Sequence, residues 1–402
     1  VISGYLITTI LIEDIENKRF SIINFYERRA RRILPALFFV IFACIPFAWM
    51  WMDLSQMRDF SQSLVAVSLF ASNILFWTES GYFAGAAEEK PLLHTWSLAV
   101  EEQYYLLFPI FLILAWRFGK NRVFWIIVFM SALSLLLSEW GWRNDAIANF
   151  YLAPTRAWEL FAGSIAAFVV QKQGVKKNNL LSLLGLTAII FSILAYDENI
   201  PFPSIYTLVP VLGVTLIVLY AKRDTLVAKL LSTKLFVGIG LISYSAYLWH
   251  QPLFAFARIT GNRETILSMI LFFLSFIFAY LSWKYVENPF RNKSFVKRKT
   301  IFLGSLACIL SLIFIGAIGN YTNGFSNRFD EKQITFLNEF ENDLPDLNYF
   351  TRNGLNKKYR LDCDYYDLEA LKSSYPTNIP QKISSECTEK SLPQKTIFIW
   401  GD

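Results

Sequence analysis

Charged residues and histidines are scarce in this sequence, and each scarcity argues against a class of protein. Only 17% of the 402 residues are charged while 54% are hydrophobic, a composition too apolar for a soluble protein of this length. Two histidines and four cysteines leave too few ligands for a Cys/His zinc site within the apolar part. Neither a Walker loop nor a dinucleotide-type glycine pattern occurs. We therefore expect a membrane protein with no metal site and no bound cofactor.

Apolar runs of near-spanning length recur along the first 320 residues. A helix needs about 20 residues to cross the hydrocarbon core, and helices satisfy their own backbone hydrogen bonds in lipid. The fold class predicted is an all-α polytopic membrane helical bundle, followed by a polar tail. The runs cover 33–51, 103–116, 122–138, 180–196, 205–221, 235–255, 264–283 and 300–319.

Basic residues cluster in short loops between these runs, which explains the net charge of +6 without a nucleic-acid partner. The positive-inside rule places such loops in the cytoplasm. The run 300–319 then delivers the tail to the extracytoplasmic side, where Cys363 and Cys387 are candidates for a disulfide, with free cysteines as the alternative. That bridge would contribute roughly 3 kcal/mol. The basic loops are 18–32, 117–122, 171–177, 222–234 and 291–299.

The same rule leaves segment 52–102 beginning and ending on one side of the membrane. Its apolar part, 61–77, is therefore predicted to be re-entrant or to lie in the membrane plane, beside a cavity. A helix missed elsewhere would give the same parity.

One of the two histidines and a pair of carboxylates lie at the start of the run 103–116. If a helix begins at Pro91, then His94, Glu101 and Tyr105 share one face, and Glu102 points about 100° away. Ionisable groups at membrane depth indicate a site, and a histidine with a carboxylate suits proton handling. The alternative is an interfacial helix cap with solvated carboxylates.

Four arginines occur within 28–32, at the cytoplasmic entry to the run 33–51. Arg29 and Arg32 fall one turn apart, and guanidinium groups bind phosphate oxygens in a bidentate manner. The pair is a candidate clamp for a phosphate-rich donor such as a nucleotide or coenzyme A. A topogenic anchor is the alternative.

Two further groups of polar residues interrupt apolar sequence. Ser243, Tyr247 and His250 lie on one stripe of a helix, where a structural histidine in an aromatic belt is the alternative to a site. Arg156 and Glu159 are three residues apart and would satisfy each other's charge, either as structure or as a substrate contact.

Five ordered motifs, at 1–8, 28–35, 94–105, 243–252 and 287–291, together resemble the bacterial membrane acyltransferase family 3. The chain is similar in particular to members that O-acetylate lipopolysaccharide O-antigen or peptidoglycan and carry a fused SGNH-hydrolase-like domain. The resemblance implies a multi-pass enzyme of the bacterial inner membrane. Such an enzyme moves an acyl group, usually acetyl, from cytoplasmic acyl-coenzyme A to a hydroxyl of a surface polysaccharide or lipid-linked glycan.

Carried onto this sequence, the resemblance makes the arginine motif the donor-binding site and gives Glu101 a catalytic role, with His94 in support. We expect the acceptor cavity to include Ser97, Tyr105, Arg156, Glu159, Tyr247 and His250. The family's catalytic histidine belongs to a helix upstream of Val1, so neither His94 nor His250 inherits its role. On that basis about ten crossings are expected, and the chain by itself is expected to be inactive.

The tail continues the resemblance, because residues 396–402 are similar to the strand that enters the Gly-Asp-Ser turn of SGNH domains. The predicted organisation is an acyltransferase domain over 1–291, a basic loop and final helix over 292–322, and a linker with the start of an α/β SGNH-like domain over 323–402. Both ends look cut.

Two other classes compete with the enzyme. A transporter or flippase for lipid-linked glycan or acyl donor also needs intramembrane charges, but it predicts internal repeats, and none is visible. A scaffold or sensor leaves the arginines and His94 to Glu101 without a role.

Overall fold

The computed structural model describes residues 1–80, 87–197, 200–262, 264–330 and 333. Within these residues the chain is helical, and strand-like pairing is limited to an isolated bridge between Lys177 and Ala221. The α-helices are α1 (Ile2–Glu16), α2 (Ile22–Trp51), α3 (Leu54–Ser68), α4 (Ser72–Thr78), α5 (Thr95–Trp116), α6 (Lys120–Asn144), α7 (Ala146–Tyr151), α8 (Ala153–Gln173), α9 (Asn179–Ala195), α10 (Leu208–Tyr220), α11 (Leu226–Leu231), α12 (Lys234–Ile259), α13 (Thr265–Ser282), α14 (Asn288–Arg291) and α15 (Arg298–Tyr321).

These helices belong to one compact unit, Val1–Ser326. A second unit, Asn327–Asp402, is described only at 327–330 and 333. The predicted Cys363–Cys387 pair and the strand at 396–402 lie outside the described residues. Cys44 is buried in α2 and Cys308 is half-buried in α15, and both thiols are free.

Among the described residues, five helices are long and apolar enough to cross a membrane: α2, α5, α6, α13 with its continuation to Arg291, and α15. Two further helices, Asn179–Ala195 and Ile205–Tyr220, are also apolar but shorter than these five. Large apolar side chains point outward from the bundle, as lipid-facing residues do; Leu107, Phe129 and Leu194 are 64%, 67% and 80% exposed. The helical membrane bundle is therefore confirmed, while the total of about ten crossings stays a prediction.

Helices α1 and α8 lie outside the apolar runs that the sequence analysis recognised. Their apolar residues alternate with glycine, serine and charged side chains, which lowers the local hydropathy without disturbing the helix. Helix α2 begins at Ile22, eleven residues before the predicted run. The arginine cluster therefore lies on the helix itself and follows its 3.6-residue repeat.

Helix α5 does not begin at Pro91. Residues 91–94 form turns, and the helix begins at Thr95, whose hydroxyl donates to the Leu92 carbonyl oxygen (2.7 Å). His94 at the N-cap already has helical φ and ψ angles, so the predicted shared face with Glu101 is kept.

The segment predicted to be re-entrant forms two helices, α3 and α4. They are separated at 69–71, where Phe70 has a positive φ of 52°. Gln103 of α5 stabilises this break between the helices, because its amide donates to the Phe70 carbonyl and to the Asn73 side chain (both 2.9 Å). Whether the pair re-enters the membrane stays a prediction.

Helices α1 and α8 pack backbone to backbone. A Cβ atom on Gly163 would lie 1.9 Å from the Val1 carbonyl oxygen, and one on Gly4 would lie 1.9 Å from the Leu160 carbonyl oxygen. Small residues allow such close approach between membrane helices. A buried hydroxyl cluster completes the contact: Thr8 donates to Ser164 (2.8 Å), which is also hydrogen-bonded to Tyr104 of α5 (2.6 Å).

We expect Gly163→Ala to lower the midpoint temperature of unfolding in detergent, because the added methyl group forces α1 and α8 apart. Overpacking of this kind costs about 1–3 kcal/mol. Gly238→Ala in α12 is the matched control, since nothing lies within 4 Å of its Cβ position. Equal midpoints for the two variants would contradict the close contact.

Candidate active site

The four arginines of α2 divide into two pairs with different surroundings. Arg28 forms an ion pair with Asp14 of α1 (3.0 Å). Arg31 is buried against Glu27 (2.9 Å), and it also donates to the carbonyl oxygens of Phe290 (3.2 Å) and Val296 (2.7 Å). Arg31 therefore holds parts of the fold together and is not available to a ligand, while Arg28 already has a counter-ion at a partly exposed site.

Arg29 and Arg32 have no ion pair or hydrogen bond with any other described residue. The Arg29 Nε atom is buried without a partner, and its guanidinium carbon lies 5.6 Å from the centre of the Tyr105 ring. Arg32 is exposed. The two candidate donor-binding arginines are thus the two that keep unused hydrogen-bond donors, and guanidinium groups bind phosphate or carboxylate oxygens in this state.

Arg29 lines a cavity of about 330 Å³ between α2, α5 and α15. Glu102 and Tyr105 of α5 also line it, and Phe302 and Leu306 of α15 belong to its largely apolar wall. One carboxylate oxygen of Glu102 is buried without a hydrogen-bond partner. The cavity therefore combines a half-buried cation and a half-buried carboxylate with room for an apolar chain.

Glu102 was not predicted as a site residue, because the helical repeat turns it about 100° away from the face of Glu101. Its position about two turns after His94 on α5 does not indicate a partner on α2. Only the packing of α5 against α2 places it in the cavity with Arg29.

Glu101, one residue before Glu102, is held by two hydroxyl groups. It accepts hydrogen bonds from the Ser3 hydroxyl of α1 (3.2 Å) and from the Tyr105 hydroxyl (3.0 Å). A carboxylate held by two hydroxyl donors is fixed in position and can accept or return a proton through them. This places Glu101 and Tyr105 together, as the helical spacing predicted.

The N-terminal end of α5 carries the second polar cluster, which joins both histidines. The rings of His94 and His250 are 5.5 Å apart, and Tyr247 lies 5.0 Å from His94. The Tyr247 hydroxyl bonds to Ser97 (2.9 Å) and donates to the His94 carbonyl oxygen. The Pro91 carbonyl oxygen lies near one buried ring nitrogen of His94 and the other has no partner, so the imidazole keeps a nitrogen that can bind a further group.

Ser243 does not belong to this cluster, although it shares a helical stripe with Tyr247 and His250. Its exposed hydroxyl donates back to the Gly240 carbonyl oxygen (2.9 Å). Side chains on one stripe of a helix 26 residues long meet different neighbours at different depths, and spacing alone does not distinguish them.

Arg156 and Glu159 form the predicted ion pair (3.4 Å). The Arg156 guanidinium also lies over three aromatic rings, at 4.8 Å from Trp96 and 5.3 Å from both Phe150 and Phe202. Cation–π contacts of this kind hold a buried guanidinium in place. Arg156 therefore braces α5 and α8 next to the site, and the prediction that it contacts substrate stays untested.

Glu287 is a buried carboxylate next to α2 that was not predicted as a site residue. Glu287 accepts hydrogen bonds from Ser245 of α12 (3.2 Å) and Arg291 (3.3 Å). It ends a π-helical turn, Trp283–Glu287, and such turns are frequent at functional sites. Tyr244 of α12 completes the brace by donating to the Ile33 carbonyl oxygen (2.9 Å). Glu287 is the first residue of the motif at 287–291, so the sequence did contain an indication of this residue.

Comparison with known proteins gives the family. The acyltransferase domain model matches residues 1–284. The chain is 28% identical to O-acetyltransferase OatA of Staphylococcus aureus strain MRSA252 over 339 residues, covering 78% of this chain and 56% of that protein. It is 27% identical to the putative O-acetyltransferase SACOL0978 of strain COL over 382 residues, covering 85% of this chain and 63% of that protein. No solved structure matches the chain.

The chain thus spans 56–63% of the length of these two relatives. The family match covers every described residue of both polar clusters, from the arginines of α2 to His250 of α12. By this match over most of its length, the chain belongs to the acyltransferase family 3.

Proposed function

We propose that the protein containing this chain is an integral-membrane O-acyltransferase. It moves an acyl group, expected to be acetyl, from cytoplasmic acyl-coenzyme A to a hydroxyl of a surface polysaccharide such as lipopolysaccharide O-antigen or peptidoglycan. The proposal includes about ten membrane crossings, the inner membrane as its location and an extracytoplasmic SGNH-like tail. OatA and the putative O-acetyltransferase are named for the same type of transfer.

The observation that carries the proposal is the contrast within the arginine cluster. Arg28 and Arg31 already have counter-ions, whereas Arg29 lines a partly apolar cavity with an unpartnered donor, and the exposed Arg32 follows one turn later on the same helix. Coenzyme A presents phosphates followed by a flexible, weakly polar arm that ends in the thioester. One arginine in the wall of such a cavity, with a second exposed arginine one turn away, suits both parts of that molecule.

His94, Ser97, Tyr247 and His250 are proposed to contact the acceptor at the outer end of α5. Hydroxyl and imidazole groups there are suited to hydrogen-bonding a sugar. The general base that activates the acceptor hydroxyl is assigned, by family resemblance, to a histidine upstream of Val1. In this assignment Glu101 orients the reacting groups.

The test follows labelled acetyl from acetyl-coenzyme A into surface glycan, in membranes from cells that express the full-length protein. We expect label to accumulate as base-labile ester on the glycan, and to be absent from membranes of cells that lack the gene. A transporter or flippase would instead move glycan or donor across the membrane without forming an ester. Absence of ester in both preparations would overturn the proposed function.

A further inference from the structure

Polar side chains lie along one face of α5. This α5 stripe consists of His94, Ser97, Glu101 and Tyr105, whose spacings of three and four residues keep them on one face. Eleven residues at 1.5 Å each extend about 16 Å, roughly half of the hydrocarbon core. The α5 stripe therefore spans the distance between the two polar clusters of the site.

Each end of the stripe opens onto a group with unused hydrogen-bonding capacity. At the N-terminal end, one buried ring nitrogen of His94 has no partner and the His250 ring is 5.5 Å away. At the other end, Tyr105 borders the cavity that holds Arg29 and Glu102. In between, Ser97 bonds to the Tyr247 hydroxyl (2.9 Å), and Tyr105 donates to Glu101 (3.0 Å).

The proposed reaction, on which this inference rests, requires a proton to change sides. The thioester C–S bond breaks, the ester C–O bond forms, the acceptor hydroxyl loses its proton and the coenzyme A sulfur gains one. The acceptor is outside and the thiol leaves on the cytoplasmic side. Either the proton crosses within the protein, or one proton is released outside while another is taken from the cytoplasm, which moves one positive charge outward.

We propose that the α5 stripe, with Tyr247, relays the acceptor's proton inward to the donor cavity, so that each acyl group moving outward is exchanged for one proton. Serine and tyrosine hydroxyls both donate and accept, and a carboxylate and an imidazole take up and return protons. Chains of such groups inside membranes mark proton pathways. Turnover through the relay moves no net charge.

The membrane potential distinguishes the two routes. Moving one charge against 100 mV costs about 2.3 kcal/mol, equivalent to about a 50-fold change in the equilibrium. A relay that exchanges acyl for proton is insensitive to the potential. It also leaves the pH unchanged on both sides of the membrane.

The experiment uses the full-length protein in inverted proteoliposomes, with labelled acetyl-coenzyme A outside and native surface glycan sealed inside together with a pH indicator. Potassium gradients with valinomycin set the potential. We expect ester yield and rate to vary less than about two-fold over 100 mV. If one charge crossed the membrane with each turnover, the equilibrium would instead change by roughly 50-fold. We also expect that no proton is released into the lumen for each ester formed. Free acetate is measured separately, because hydrolysis of the acyl group would also release protons.

Variants test the assignment of residues. In the double variant Ser97→Ala with Tyr247→Phe, turnover is expected to fall by about 10²-fold, as for a lost proton-transfer group. The turnover that remains is expected to release one luminal proton per ester, a signature that a merely structural defect does not produce. Ser243→Ala on the same helix as Tyr247 is the matched control and should keep the wild-type stoichiometry.

The outcomes separate the relay from the proposed function. Ester formation accompanied by one luminal proton and a voltage-dependent yield would overturn the relay and leave the acyltransferase intact. No ester from the wild-type protein would overturn both. If the double variant fails to fold, the wild-type proton count still decides.

Discussion

Replacement of both Arg29 and Arg32 by alanine is expected to reduce acyl transfer by about 10²- to 10⁴-fold at low acetyl-coenzyme A. Each hydrogen bond to a charged group contributes about 1.5–3 kcal/mol, and both arginines lack internal partners among the described residues, so their donors are available to the substrate. The loss should lie mainly in kcat/KM, because the phosphates are bound equally in the ground state and the transition state.

Arg28→Ala is the matched control for this experiment. Arg28 lies on the same helix, but it pairs with Asp14 at a partly exposed site, where such pairs contribute about 0–1 kcal/mol. Its removal should change kcat/KM by less than about five-fold. Kinetics of labelled acetyl transfer at several donor concentrations provide the measurement. If the double variant resembles Arg28→Ala, the arginine pair does not bind the donor.

Glu27→Ala is expected to destabilise the protein by about 3–5 kcal/mol, because it leaves the Arg31 guanidinium buried without its counter-ion. Glu27 accepts hydrogen bonds from Arg31 (2.9 Å) and from Arg298 at the start of α15 (2.5 Å). Arg31 also donates to the carbonyl oxygens of Phe290 and Val296. The Glu27 carboxylate therefore joins α2 to the distant segment 290–298, directly and through Arg31.

The measurement is the midpoint of thermal unfolding in detergent, with Glu13→Ala as the control because Glu13 is exposed on α1. Replacing both partners, with Glu27→Leu and Arg31→Met, should recover part of the loss, since a buried pair exchanged for apolar residues is often near neutral. A midpoint for Glu27→Ala equal to that of Glu13→Ala would show that the pair contributes nothing.

Much of the site was predictable from local sequence because helix geometry acts over short distances. The spacing of Arg29 and Arg32, the shared face of His94, Glu101 and Tyr105, and the pairing within α8 all depend on the 3.6-residue repeat. The start of α5 was misplaced by four residues, since a proline is compatible with a turn as well as with a first helical position.

The remaining features depend on contacts between residues far apart in sequence. Glu102 becomes a site residue only because α5 packs against α2, and the Ser97 hydroxyl meets a side chain of α12 only in the folded bundle, through Tyr247, 150 positions later. Glu287 gained its role in the same way, through Ser245. Periodicity specifies which face of a helix a residue occupies, but not which helix that face meets.

The sequence by itself determined a helical membrane bundle, its family and the two arginines most suited to a phosphate-rich donor. Only the tertiary structure decided which arginines are available. Arg28 and Arg31 are occupied by Asp14 and Glu27, and removal of a charge from water requires such a partner. That requirement acts in three dimensions, so the unpaired Arg29 and Arg32 emerge only when the whole bundle is assembled.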